Sequence, residues 1–276
     1  MLTAKAAAER CCAALGGFRL IHSFLLIGQS NMAGRGFLNE AVDVDNSHIK
    51  ILRNGRWQKM FRPINPDRSF SGVSLAESFA EAYAKTYDVD VGLICCADGG
   101  TTLAQWQPGS LLLDNAISQA KLAQRTSVIV GILWHQGEGE AQTSELANSY
   151  PERFCPIVEE LRKELELPDV PFLVGGLGDF LSLYTVQVNG VAKPHALYGA
   201  LVNTALESFA AAQPYMGFVP ATGLTANPDN LHFNAKSLYE FGLRYFAAYQ
   251  KLVDPDRVIA AEVSVDDTKR SAMEAL

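Results

Sequence analysis

A serine directly after an apolar run, and a histidine three residues after an aspartate near the far end of the chain, are the parts of a nucleophilic acyl-transfer site. Ser30 follows the apolar residues 19–27 and the pair Gly28-Gln29, where a strand would hand over to a turn or helix. The plain role of such a serine is an N-cap. It also suits a nucleophile, because a helix N-terminus carries positive potential and the serine's own N–H can face a developing oxyanion. Asp229 and His232 are three apart, so on one turn of backbone they face the same way. A carboxylate accepting from Nδ1–H fixes the tautomer and leaves Nε2 free to take the serine proton. Taken alone, Asp-x-x-His equally describes a surface ion pair.

Other residues fit the remaining parts. Gly99-Gly100 lets a backbone N–H approach a substrate closely, with either glycine as the donor. Gln136 offers an amide donor to the oxyanion. Together with the Ser30 N–H these make a three-donor hole. Glu138 is a rival to Asp229 as the carboxylate that orients His232, and local spacing favours Asp229. Gln29 and Asn31 flank the serine, and Trp106, just past the glycine pair, either stacks on a ring or fills a gap. His135 and Glu138 lack an H-E-x-x-H context and a third ligand, so no metal is expected. No Walker-type loop or full G-x-G-x-x-G occurs, so no nucleotide is expected, and no cofactor is expected because acyl transfer by these residues uses only protein groups.

These residues must be brought to one place. Apolar runs at 19–27, 89–97, 127–134, 170–177 and 215–219 alternate with helical patterns at 74–87, 110–125, 144–165, 195–213 and 234–252. Runs such as Val128–Trp134 are apolar throughout, as in strands buried on both faces. The expectation is an α/β fold with a central five-stranded parallel sheet between helical layers. Asn54-Gly55 marks a hairpin that decorates an edge or loop. Ligands of open α/β sheets bind at the carboxyl ends of the strands. Every candidate above follows such an end.

Composition limits the alternatives. The 276 residues are 48% hydrophobic and carry a net charge of −7 without a Lys/Arg run, which argues against nucleic acid and anionic membrane as partners. Five cysteines, at 11, 12, 95, 96 and 155, make a poor disulfide framework and point to a reducing cytoplasm. The first 18 residues read as a short helical extension closed by Gly16-Gly17, with no signal-peptide core and no membrane span elsewhere. The chain is read as one domain, 1–276, and its oligomeric state is left open.

Four blocks carry a resemblance. Residues 27–36 (IGQSNMAGRG), 99–106 (GGTTLAQW), 133–140 (LWHQGEGE) and 229–237 (DNLHFNAKS) resemble, in order, the blocks of the SGNH hydrolases, in the branch of carbohydrate esterase family six and the sialate O-acetylesterases. The resemblance implies a three-layer, flavodoxin-like α/β/α fold and deacetylation of O-acetylated sugars through an acyl-enzyme. It carries over Ser30, His232 and Asp229 as triad, and Ser30, Gly100 and Gln136 as oxyanion hole. In part of this group the glutamate of the third block is the third triad member, which keeps Glu138 open. Gln136 stands where the wider superfamily has asparagine. No G-x-S-x-G elbow occurs. The implied substrate is a small or oligosaccharide acetyl ester, from acetyl-xylan fragments or O-acetyl sialic acid. A generic short-chain esterase, an acyltransferase and a sugar-binding protein on the same fold are the competing readings. An intact Ser30, His232 and Gln136 count against the last.

Overall fold

The computed structural model describes residues 20–253; the expected N-terminal helical extension lies outside them. The strands are β1 (Ile21–Gly28), β2 (Ile49–Arg53), β3 (Arg56–Lys59), β4 (Asp90–Cys95), β5 (Val128–His135), β6 (Phe172–Gly175), β7 (Thr185–Val188), β8 (Val191–Pro194) and β9 (Met216–Val219). The helices are α1 (Ser30–Ala33), α2 (Ala76–Tyr87), α3 (Leu111–Ala123), α4 (Ser144–Asn148), α5 (Tyr150–Glu164), α6 (Gly199–Ala212) and α7 (Ala235–Leu252).

The five expected strands stand in the order β4-β1-β5-β6-β9, all parallel, which is the flavodoxin-like order. The sheet is wider than expected, with seven strands. The Asn54-Gly55 hairpin adds β2 parallel to β4 and β3 antiparallel at the edge. Its two central residues have φ of 54° and 75°, the geometry that Asn-Gly adopts most cheaply.

The largely apolar strands show why the sheet is covered twice. Successive β1 residues point to opposite faces. Phe24 and Leu26 pack with Phe79 and Tyr83 of α2 and Phe241 and Tyr245 of α7. Leu25 and Ile27 pack with Leu113 of α3, Phe154 of α5 and Leu206 of α6. Neither β1 nor the last seven residues of β5 leave anything but buried positions.

Two expectations are corrected. The helical pattern at 144–165 is two helices, broken at Ser149. Part of the span before α6 is a second hairpin, β7–β8, turned by Asn189-Gly190 with φ of 52° and 77°. The helix expected from residue 195 begins at Gly199, after a short turn that follows the hairpin.

Candidate active site

The site forms where β1 and β5 lie side by side and their onward connections diverge. Close approach there explains Gly28. It has φ of 122°, and a Cβ on it would sit 2.1 Å from His135 O. The next residue, Gln29, donates its N–H to the same carbonyl at 2.8 Å. The chain then turns into α1, with Gln29 O accepting from the N–H groups of Met32 and Ala33 at 3.0 Å each. Ser30 is the first residue of this turn and is almost buried.

His232 reaches it from the loop before α7. Its Nε2 lies 3.0 Å from Ser30 Oγ. Its Nδ1 lies 2.6 Å from Asp229 Oδ2. The carboxylate can only accept, so Nδ1 carries the proton and Nε2 accepts from the serine hydroxyl. Asp229 Oδ1 also accepts from the N–H groups of Leu231 at 2.9 Å and His232 at 3.0 Å. Partial burial pushes the Asp229 pKa up, but the imidazole and the two backbone donors outweigh it and lower it to about 2.

Glu138 does not stand at His232 Nδ1. Its Oε1 accepts from Asn31 Nδ2 at 2.6 Å. The same amide group donates to Leu231 O at 3.3 Å, and Asn31 Oδ1 accepts from Phe233 N–H at 3.1 Å. Asn31 thus grips the backbone on both sides of His232, and Glu138 fixes which way the amide faces. Phe233 is buried against Phe180, His135 and Phe241, with ring centroids 4.9, 5.7 and 5.2 Å away. His135 is itself fully buried. Its Nε2–H donates to Gly176 O at 3.1 Å, and burial lowers its pKa, so it is a neutral packing element.

On the other side of Ser30 the two glycines separate. Gly99 N–H donates to Asp67 Oδ2 at 2.8 Å, which removes it from the candidate donors. Gly100, with φ of 79°, has open space beside its Cα. Gln136 is fully buried at the end of β5. Its Nε2 donates to Glu140 Oε2 in a short bond and makes longer contacts of 3.3 Å to Gln29 Oε1 and Thr101 O. Its Oε1 accepts from the Tyr150 hydroxyl at 2.8 Å. The buried Glu140 carboxylate is the strongest acceptor within reach and holds the amide. Trp106 is also fully buried, 5.5 Å from Trp134 edge-on, with its indole N–H on Thr101 Oγ1 at 3.0 Å. It fills the core beneath the loop and offers no face to a sugar.

Several supporting residues carry no local sequence signal. Asp67, Arg35 and Tyr150 are buried or half-buried hydrogen-bonding groups with partners in other segments, and Glu140, inside the third block, also accepts from the distant Leu103 N–H. Arg35 lies inside the first block, yet its partner Asp67 sits 32 residues on. Among the described residues, no group of three or more His, Cys, Asp or Glu could hold a metal. None of the described helices is long and apolar enough to cross a membrane.

Comparison with known proteins places this geometry. The profile of the family described as carbohydrate esterase, sialic acid-specific acetylesterase, matches residues 21–251. The chain belongs to this family. It is therefore a carboxylic ester hydrolase acting on carbohydrate acetyl esters. The Arabidopsis thaliana protein named "Probable carbohydrate esterase At4g34215" is 26% identical over 251 residues, covering 82% of this chain and 89% of that protein. Its X-ray structure superposes with a TM-score of 0.73 over 85% of this chain and 99% of the other. The family fold also matches NanS, at a TM-score of 0.63 and 16% identity, over 84% of this chain and 97% of that one. A carbohydrate acetylesterase from Xanthomonas citri matches at 0.60 and 20% identity, over 84% and 56%. Both likenesses are likenesses of fold.

Proposed function

We propose that this esterase removes O-acetyl groups from sugars through an acyl-enzyme on Ser30, with His232 as general base and Asp229 as its orienting carboxylate. The observation that carries this reading is the continuous hydrogen-bonded line from Ser30 Oγ through His232 to Asp229, at 3.0 and 2.6 Å. Ser30 Oγ attacks the acetyl carbonyl carbon as its proton passes to His232 Nε2. The resulting oxyanion is met by the backbone N–H groups of Ser30 and Gly100. Gln136 adds a third donor by exchanging its 3.3 Å contacts for the oxyanion, while its other hydrogen stays on Glu140. Each donor in such a hole stabilises the transition state by about 3–4 kcal/mol. The C–O bond to the sugar then breaks, and the imidazolium protonates the departing alkoxide oxygen, releasing the sugar hydroxyl. Water, deprotonated by the same imidazole, attacks the acetyl-serine and releases acetate. The cycle uses protein groups alone.

The family description supports acetylated sugars as the substrate class, with O-acetyl sialic acid and acetylated xylo-oligosaccharides as the candidates. We read the chain as one esterase domain of a reducing compartment. In support, the three described cysteines are free. The test is acetate release from p-nitrophenyl acetate, acetylated xylo-oligosaccharides and 9-O-acetyl sialic acid, with wild type and Ser30→Ala. Turnover of a sugar ester that vanishes in the variant is expected. Equal release by the variant contradicts the reading.

A further inference from the structure

Asp67 and Arg68, which lie on neither strand nor helix, meet the glycine loop at both ends of one residue. Asp67 Oδ2 accepts from Gly99 N–H at 2.8 Å. Arg68 Nη2 donates to Gly99 O at 2.8 Å and to Asp98 Oδ1 at 2.7 Å. Gly99 O and Gly100 N–H belong to the same trans peptide, so they point in opposite directions. Fixing the oxygen on Arg68 therefore fixes where the Gly100 N–H points.

The bracket is anchored to the nucleophile's own segment. Arg35, five residues after Ser30, forms a two-pronged pair with Asp67, Nη1 to Oδ1 at 3.0 Å and Nη2 to Oδ2 at 2.7 Å. Both side chains are about 95% buried, and Ser71 Oγ donates to Asp67 Oδ1 at 2.7 Å. Burial raises the Asp67 pKa, but Arg35, Ser71 and the Gly99 N–H together bring it below the usual value. Position 99 must be glycine for this contact. A Cβ there would lie 2.3 Å from Arg35 Nη2, 2.9 Å from Asp67 Oδ2 and 3.4 Å from Ser30 Cβ.

We infer that Asp67 and Arg68 are positioning residues of the oxyanion hole: they bracket Gly99 so that the Gly100 N–H is held toward the carbonyl attacked by Ser30. The inference rests on the acyl-enzyme reading above. A donor displaced by about 1 Å costs on the order of 100-fold in rate while substrate binding is spared.

The two residues give independent variants. Asp67→Asn removes a buried charge and lowers thermal stability, so its rate is taken per folded molecule and well below its Tm. Arg68 is 42% exposed, so Arg68→Met leaves folding intact. The expected result is a kcat lowered about 100-fold in Asp67→Asn and about 10-fold in Arg68→Met, with KM for p-nitrophenyl acetate within about 3-fold of wild type, and partial recovery in Arg68→Lys. Amide hydrogen exchange over residues 98–101 supplies a readout that needs no turnover. Faster exchange at Gly99 in Asp67→Asn is expected. Ser30-dependent turnover that is unchanged in both variants overturns the inference. If wild type shows no Ser30-dependent turnover, the acyl-enzyme reading fails instead, and exchange alone decides: unchanged Gly99 protection in Asp67→Asn overturns the bracket.

Discussion

Two carboxylates flank the Ser30–His232 pair, and they are held in opposite ways. Asp229 is 43% exposed, sits three residues from His232 and is fastened by the N–H groups of its own loop. Glu138 is buried and is hydrogen-bonded to the His232 loop through Asn31, 107 residues away in sequence. The first contacts the imidazole and tunes its tautomer. The second governs where the loop sits. Contact with the reacting group is therefore local and wet, while the support behind it is buried and long-range. Asp67 follows the Glu138 pattern on the other side of the serine.

The largest effect that would break this comparison is loss of the base. On the proposed mechanism, His232→Ala lowers kcat/KM by about 10⁵–10⁶-fold with the thermal transition nearly unchanged. Initial rates with p-nitrophenyl acetate check it. Asp229→Asn is expected to cost about 10⁴-fold, because an amide can donate to Nδ1 and stabilise the wrong tautomer. Glu138→Gln is expected to cost about 10-fold or less, since its amide oxygen can still accept from Asn31. Comparing these two variants under one set of conditions sharpens the contrast. A reversed order makes Glu138 the orienting carboxylate.

Which parts of the molecule could be read from sequence follows the same division. Ser30 and the Asp229–His232 pair stand in short, ordered segments whose backbone dictates their direction. The five main strands announce themselves because burial on both faces leaves them largely apolar, with few polar residues such as His22 and Ser23. Asp67 has no such signal: its partners Arg35 and Gly99 lie 32 residues away on either side. Trp106 shows the reverse problem. An aromatic beside a glycine loop looks the same in sequence whether it faces a sugar or the core, and here Trp134 and Thr101 bury it. The β7–β8 hairpin did carry the same Asn-Gly signal as β2–β3. Its strands are only four residues long and largely exposed, too short for the Val186/Val188 alternation to stand out, and β8 is exposed along its length.

Smaller effects probe the burial itself. Trp106→Ala should destabilise the fold by about 3–5 kcal/mol, visible as a lower denaturant midpoint, because it empties a core site. Its folded fraction should keep a KM for sugar esters within about 3-fold, since the ring never meets substrate. Unchanged stability with a large rise in KM would return Trp106 to the binding surface. The pH profile of kcat/KM tests Asp229. With its carboxylate lowered to about 2, it stays ionised throughout an assay above pH 4. No carboxylate should then add to the slope of the acid limb in that range. A two-proton slope would mean that a carboxylate also titrates in that range.

The central claim is that Ser30 is the nucleophile activated by His232. The most direct test is stoichiometric labelling with a small phosphonofluoridate, followed by peptide mapping. The account predicts one adduct per chain, on Ser30, formed in parallel with loss of acetate release and nearly abolished in His232→Ala. An adduct on any other residue, or acetate release that survives full labelling of Ser30, would contradict it.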